Sequence, residues 1–152
     1  PKREEENLLQ VERDLKAAGI EGHFTPQIRR DALQKFSYVS PVGAAGLYYG
    51  ATAGDFTVPG EKQDLVITLI REIEAIGQAM GITFEQDLTE VNLEILKGLE
   101  KDADTSMQRD VAAGRPSEAE GLIHNVVELA GKYGLVCPGY RMVSRWARER
   151  GL

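Results

Sequence analysis

An apolar stripe between residues 61 and 80 constrains the fold of this chain more than any other feature. Apolar side chains recur there every three or four positions, with charged side chains on the opposite face; they are Leu65, Val66, Leu69, Ile70, Ile73, Ile76 and Met80. This spacing follows the turn of an α-helix, and such a stripe needs a covering partner. We therefore predict a long amphipathic helix, ended by Gly81, that contributes to a core or to a contact between subunits.

Segments with the same helical period occupy most of the remaining chain, separated by glycine, proline and polar breaks. They predict helices over residues 4 to 18, 26 to 39, 41 to 54, 87 to 101, 117 to 133 and 138 to 150, with a short helical piece after Thr105. Residues 20 to 25 are interpreted as an extended link or strand remnant. No run alternates long enough to demand a strand. The expected fold is all-α, a bundle of about seven helices.

The segment from Pro41 to Gly54 is unusually rich in alanine and glycine. Small side chains let a second helix or a ligand approach the backbone closely. Pro41 allows either a kink or a fresh first turn. We interpret this segment as a tightly packed central helix, with the wall of a substrate site as a secondary role.

Composition narrows the class of protein. The length of 152 residues suits one domain, 1–152, and 42% hydrophobic residues suffice for a sizeable core. A net charge of −6 argues against non-specific binding to nucleic acid or to an anionic membrane. No apolar run reaches the length of a membrane span, no signal peptide opens the chain, and the single cysteine, Cys137, is interpreted as a buried inert thiol. We expect a cytoplasmic protein.

Several common site motifs are missing from the sequence. It has no Gly-x-Gly-x-x-Gly after a strand, no phosphate loop and no cysteine or histidine spacing suited to a metal. His23 and His124 lie far apart, and we interpret each as an ordinary surface or core histidine. The chain is therefore expected to hold no metal, and its residues identify no cofactor site.

The polar segment from Thr105 to Glu118 surrounds a Gly-Arg-Pro break. Ser117 followed by Glu118 predicts a helix N-terminus, because the hydroxyl caps free amides and the carboxylate suits the helix dipole. A helix N-terminus accounts for Ser117 and Glu118 but not for the other polar residues of the segment. The hydrogen-bond donors and acceptors around this tight break also suit a binding site for a small oxygen-rich molecule.

The same segment carries a family resemblance. It resembles the C-terminal signature of the ketopantoate reductase (2-dehydropantoate 2-reductase) family through Thr105, Ser106, Met107, Gln108, Arg109, Asp110, Gly114, Arg115, Ser117 and Glu118. The resemblance extends from Lys35-Phe36 to Pro138. It implies a helical substrate-binding and dimerisation domain similar to that of 6-phosphogluconate dehydrogenase. It also implies a homodimer that reduces a small 2-oxo acid, ketopantoate in the family, with NADPH bound mainly by a Rossmann domain that precedes this region.

The resemblance also assigns three site residues. Lys35 stands in the most apolar part of its helix, where a lysine is usually a surface residue but becomes a candidate proton donor when it is partly buried. By the resemblance it matches the general acid that protonates the ketone oxygen. Glu118 matches the glutamate that hydrogen-bonds the substrate's hydroxyl or keto oxygen, and Ser106 matches the serine that contacts the substrate carboxylate. A carboxylate accepts from hydroxyls and a hydroxyl donates to an anion, so both assignments are chemically sound. We expect the three side chains to face one cleft.

The chain departs from the family pattern beside the lysine. Asparagines that help bind pantoate stand four and eight residues after the family's lysine, and Val39 and Gly43 occupy those places here. The residues after the glutamate, Ala119-Glu120 and Ile123-His124, differ as well. The substrate is therefore left open between ketopantoate, a related 2-oxo acid and another carbonyl compound. A non-catalytic helical dimerisation or interaction module is the alternative from another class.

Overall fold

The computed structural model describes residues 2–152, with side chains from Glu4 onward. This part of the chain contains helices and no strand, which confirms the all-α prediction. One π-helical turn, Glu120–His124, directly precedes α7. There are eight α-helices, α1 Lys2–Ala17, α2 Ile28–Tyr49, α3 Ala53–Phe56, α4 Glu61–Ala79, α5 Leu88–Lys97, α6 Ser106–Ala112, α7 Asn125–Lys132 and α8 Pro138–Arg148.

Helix α2 is the centre of the bundle and packs against α4, α5, α6, α8 and the π-turn. The two helices predicted on either side of Ser40 form a single helix of 22 residues, with Pro41 inside it. A proline has no N–H to donate, so the carbonyl of Ser37 loses its partner within the helix. The side-chain amide of Asn92 on α5 donates to that carbonyl at 2.9 Å. Asn92 therefore allows α2 to continue through the proline.

The small residues of α2 are packed as the sequence predicts. Ala44 and Ala45 are fully buried, and Val42 is almost so. The helix ends at Gly50, whose φ of 61° is the left-handed conformation that glycine adopts readily. Residues 51 to 54 were predicted to continue the helix; instead residues 51 and 52 break it, and residues 53 and 54 begin the short helix α3.

The apolar stripe of α4 lies in the core, with Leu69, Ile70 and Ile76 fully buried. It is therefore covered within the chain and is not a surface for a second subunit. The prediction that every charge lies opposite the stripe is wrong for Glu72, which is buried. Its carboxylate accepts from the backbone N–H groups of Gly139 at 2.7 Å and Tyr140 at 2.9 Å. These are among the first N–H groups of α8, which have no acceptor within the helix.

A buried hydrogen-bond chain joins α8 and the π-turn to α2. The Tyr140 hydroxyl lies 2.5 Å from the Ser40 hydroxyl, which donates to the carbonyl of Leu122 at 2.6 Å. All three groups are paired, as buried polar groups must be. The segment that follows Glu118 is thereby fixed to the middle of α2.

The predictions for the cysteine, the two histidines and residues 20 to 25 agree with the structure. Cys137 is buried, and burial together with the nearby Glu72 carboxylate raises the pKa of its thiol to about 11. His124 is a core histidine paired with the Ser144 hydroxyl and the Leu152 carbonyl, whereas His23 is exposed. Residues 20 to 25 form an extended link without strand pairing. Among the described helices none is both long and apolar enough to cross a membrane.

Candidate functional site

Lys35 lies on the exposed side of α2, at the edge of a groove between α2 and α5. The groove has a volume of about 410 Å³ and is also lined by Asp31, Gln34, Tyr38, Val91, Asn92 and Ile95. Within the described residues the ammonium group of Lys35 forms no ion pair and no hydrogen bond. The nearest acid along the helix, Asp31, is occupied by Thr25 and Arg30. Lys35 is thus available to a ligand. It is exposed, whereas a lysine whose pKa is lowered by its surroundings would be partly buried.

Ser106 is the first residue of α6 and is exposed. The residue before it, Thr105, closes a capping box that the sequence analysis did not identify: its hydroxyl accepts from the Gln108 N–H at 3.3 Å, and Gln108 Oε1 accepts from the Thr105 N–H at 3.0 Å. The residue after it, Met107, is buried. Ser106 is therefore fixed in place by the capping residue Thr105 before it and by the buried Met107 after it, while Ser106 itself is exposed to solvent.

Glu118 is exposed and lies in the turn immediately before the π-turn. Its carbonyl accepts from the Leu122 N–H at 2.8 Å. The helix predicted to begin at Ser117 is instead a π-turn followed by α7, and no side-chain cap is formed at its start. The extra residue of a π-turn changes the direction of the side chains around it, and such turns are frequent at functional sites.

Two other residues of the signature have structural roles. Gly114 ends α6 with a φ of 64°, which suits glycine. Arg115 pairs with Asp110, with Nε at 2.9 Å and Nη2 at 2.6 Å from the same carboxylate oxygen. This exposed pair closes the loop that separates Ser106 from Glu118. In the sequence, this ion pair was indicated only by the opposite charges of Asp110 and Arg115, five residues apart and on either side of Gly114.

The three predicted site residues lie on α2 or next to elements that pack on α2. Ser106 begins α6 and Glu118 precedes the π-turn, and both elements pack on α2, which carries Lys35. The groove beside Lys35 is lined by neither Ser106 nor Glu118. No hydrogen bond or ion pair within the described part of the chain connects the three side chains.

Val39 and Gly43 follow Lys35 on α2 by four and eight residues. Each step of four residues turns by about 40° around the helix, so the two residues lead from the exposed side of Lys35 into the bundle, over a rise of about 12 Å. Gly43 is covered by Met107: a Cβ atom on this glycine would lie 2.7 Å from the Met107 Cε atom. Gly43 and Met107 are both buried, so α2 and α6 pack directly on each other at this point.

The protein family of the chain follows from its match to a family model. A family model described as ketopantoate reductase PanE/ApbA C terminal matches residues 27–150. The chain belongs to the ketopantoate reductase family. The match includes α2 and the segment from Thr105 to Glu118, which are the parts of the sequence that carried the resemblance. No curated protein matches the chain by sequence.

Solved structures agree on the fold. The 2-dehydropantoate 2-reductase from Methylococcus capsulatus superposes with a TM-score of 0.83 at 23% identity, covering 96% of this chain and 46% of that one. A dimeric ketopantoate reductase from Staphylococcus aureus gives 0.82 at 20%, covering 93% and 50%. D-mandelate dehydrogenase with NADH and anilino(oxo)acetate gives 0.75 at 16%, covering 90% and 57%. The chain thus spans about half the length of these proteins and has the fold of the ketopantoate reductase C-terminal domain.

The described residues do not by themselves fit a dinucleotide. Binding of NAD(P) in such enzymes uses a glycine-rich turn between a strand and a helix. Residues 2–152 contain no strand, and the whole sequence contains no such glycine pattern. Among its described residues this ketopantoate reductase domain offers a lysine that has no ion-pair or hydrogen-bond partner there, an exposed serine and an exposed glutamate.

Proposed function

We propose that this chain is the substrate-binding domain of an NADPH-dependent reductase of the 2-dehydropantoate 2-reductase type, acting on a small 2-oxo acid. The observation that carries the proposal is an exposed, unpaired lysine on the central helix of a ketopantoate reductase C-terminal domain. Lys35 matches the family's general acid. Its place beside a groove gives a ketone access to the ammonium group.

Lys35 would act on the oxygen of the ketone. NADPH, held by a part of the protein other than the described residues, would supply the hydride that reduces C2 and would become NADP⁺. The developing alkoxide takes a proton from the Lys35 ammonium group, and water then returns a proton to the lysine. Charge that forms on the oxygen is stabilised by the ammonium group even before the proton moves. The products are a 2-hydroxy acid and NADP⁺.

Ser106 and Glu118 would orient the substrate. A hydroxyl donates a hydrogen bond to a carboxylate, which suits Ser106 for the acid group of the substrate. The carboxylate of Glu118 accepts from a hydroxyl, either on the substrate or on the alcohol product. Both side chains are exposed, so a cleft that brings them together with Lys35 would be completed by another part of the protein or by closure around the substrate.

We further propose that a nucleotide-binding domain, a homodimeric assembly and a cytoplasmic location accompany this domain. The known relatives contain about as many residues again as the matched region, and one of them is a dimer. The buried stripe of α4 is unavailable for such a dimer. A dimer would therefore use other surfaces of the bundle.

A non-catalytic interaction module is the second candidate. Its support is the pair Val39 and Gly43, which replace the two asparagines of the family pattern. A turnover screen separates the candidates: the full-length protein is incubated with NADPH and a panel of 2-oxo acids that includes ketopantoate. Oxidation of NADPH that depends on a 2-oxo acid supports the reductase. A folded full-length protein that binds NADPH and reduces no member of the panel supports the interaction module.

A further inference from the structure

Two consecutive hydrogen bonds connect Glu118 to the helix that carries Lys35. The Leu122 N–H donates to the Glu118 carbonyl at 2.8 Å, and the Leu122 carbonyl accepts from the Ser40 hydroxyl at 2.6 Å. Ser40 is fully buried and follows Lys35 on α2 by five residues, a rise of about 7.5 Å. The hydroxyl of one buried serine therefore joins the backbone of the Glu118 segment to the helix of the proposed proton donor.

Tyr140 is the donor in the contact of 2.5 Å between its hydroxyl and the hydroxyl of Ser40. A hydroxyl has one proton, and Ser40 donates its proton to the Leu122 carbonyl, which can only accept. The proton between the two hydroxyls is therefore the one on Tyr140. A hydroxyl that accepts a hydrogen bond becomes a stronger donor, so Tyr140 strengthens the bond from Ser40 to Leu122.

Tyr140 is itself fixed through its backbone and through its side chain. Its backbone N–H donates to the Glu72 carboxylate at 2.9 Å, and its ring is fully buried. Burial raises the pKa of the Tyr140 hydroxyl, so this group keeps its proton and remains a donor at neutral pH. Movement of the ring away from Ser40 would leave a buried hydroxyl without a partner, which is unfavourable.

The π-turn makes the direction of Glu118 sensitive to this support. A π-turn contains one residue more than an α-helical turn, so the residues before it are rotated by about 100° relative to an unbroken α-helix. Leu122 lies inside the π-turn, and its bond to Ser40 ties the turn to α2. A change in the form of the turn would therefore change the direction in which Glu118 points.

We propose that Tyr140 and Ser40 are positioning residues for substrate binding, which act through Leu122 to hold Glu118 in the direction from which it binds the 2-oxo acid. The proposal rests on the proposed function, because it takes Glu118 as a group that binds the substrate. Both positioning residues are buried and neither touches the substrate. Weakening their support should therefore raise KM for the substrate more than it lowers kcat.

Tyr140→Phe in the full-length protein removes only the hydroxyl that donates to Ser40. We expect KM for the best 2-oxo acid to rise roughly three- to tenfold, with a smaller change in kcat and an unchanged affinity for NADPH. Ser40→Ala should raise KM further, because it also removes the bond to Leu122. The matched control is Val143→Ala, at a fully buried apolar residue on the same helix as Tyr140, and it should keep the parental KM. Circular dichroism establishes that each variant is folded.

A double variant separates positioning of Glu118 from a general loss of stability. If Tyr140 acts through Glu118, Tyr140→Phe should change KM little in the Glu118→Gln background, so the two substitutions are not additive. A tyrosine with a merely structural role would change KM by the same factor in both backgrounds.

Four outcomes are distinguishable. A rise in KM that disappears in the Glu118→Gln background supports the proposal. A parental KM in Tyr140→Phe and Ser40→Ala, or an equal rise in both backgrounds, overturns it and leaves the reductase function standing. A parental KM in Glu118→Gln removes Glu118 from the substrate site, and this proposal with it. Reduction of no 2-oxo acid by the parent protein overturns the reductase function and this proposal together.

Discussion

Asn92 completes helix α2 at the point where Pro41 interrupts it, because its side-chain amide donates a hydrogen bond to the Ser37 carbonyl at 2.9 Å. The same amide lies 3.0 Å from the Ser37 hydroxyl, and Asn92 is 1% exposed. Asn92 also lines the groove beside Lys35. The contact that keeps the central helix continuous is therefore part of the surface next to the proposed proton donor.

Asn92→Ala should destabilise the domain by about 1 to 3 kcal/mol, because a buried carbonyl loses its partner. Pro41→Ala supplies the missing N–H within the helix, so Asn92→Ala should cost less in that background. The measurement is urea unfolding of the parent, both single variants and the double variant. Strictly additive effects in this cycle would show that Asn92 does not compensate for the proline.

Glu72 should make the stability of the domain depend on pH. Burial raises the pKa of its carboxyl above the ordinary 4.5, while the bonds from Tyr140 and Gly139 act in the opposite direction. The folded state therefore holds this proton more tightly than the unfolded state. The stabilisation is present below 4.5 and is lost as pH rises through the folded pKa.

Glu72→Gln removes this titration. At low pH the parent carboxyl is protonated, and its hydroxyl oxygen can still accept one of the two N–H bonds, whereas the amide nitrogen of the variant cannot accept; we therefore expect the variant to be less stable than the parent by about 1 kcal/mol at low pH. That difference should narrow as the pH rises above 4.5. Unfolding curves of both proteins between acid and neutral pH supply the measurement. A difference that widens with rising pH would contradict the sign of the shift.

The isolated chain of 152 residues should fold but bind NADPH weakly and catalyse nothing. Its core is complete around α2 and α4, and it lacks the glycine-rich turn that holds a dinucleotide. Circular dichroism should report a helical protein, and calorimetry should report no binding at micromolar NADPH. Tight NADPH binding to this chain alone would mean that the nucleotide site lies in the helical domain.

Glu118→Gln should act mainly on substrate binding in the full-length enzyme. Glu118 is exposed, so the change should leave stability within about 0.5 kcal/mol of the parent. We expect KM for the 2-oxo acid to rise by roughly tenfold and kcat to change less. Glu128→Gln, on α7 and outside the proposed site, is the matched control. Equal kinetics in the two variants would remove Glu118 from the substrate site.

Local patterns in the sequence were sufficient for most of the fold. The stripe of α4 and the small residues of α2 each follow from side chains close together in the chain. Gly81, predicted as a helix end, has a positive φ of 75°, and Gly19 and Gly134, which follow α1 and α7, have φ values of 76° and 69°. Each of these features depends on neighbours within one or two turns, which is the range that periodicity reports.

The features that the sequence did not reveal depend on residues far apart in the chain. Asn92 and Ser37 are separated by 55 residues, and Glu72 and Gly139 by 67. A polar residue on a predicted helix gives no indication of a partner at such a distance. The π-turn before α7 was missed because its residues fit an ordinary helical period; its Leu122 carbonyl accepts a hydrogen bond from the Ser40 hydroxyl, another contact between residues far apart in the chain.

The candidate site was predicted by resemblance more than by chemistry. Ser117 was expected to cap the helix that follows it, but no side-chain cap is formed there; the capping box in this segment joins Thr105 and Gln108 at the start of α6. Lys35, Ser106 and Glu118 lie on elements that share α2 as support, and their common cleft stays a prediction. Their roles depend on a substrate, which local sequence patterns do not describe.

Steady-state kinetics of Lys35→Ala in the full-length protein test the account most directly. The control is Lys132→Ala, at an exposed lysine of α7. With its best 2-oxo acid, Lys35→Ala should lose roughly 10²- to 10⁴-fold in kcat, about 3 to 5 kcal/mol of transition-state stabilisation, while NADPH affinity and the circular dichroism spectrum stay unchanged. Lys132→Ala should match the parent. If folded Lys35→Ala reduces the substrate as fast as the parent does, Lys35 is a surface residue and the proposed mechanism is wrong.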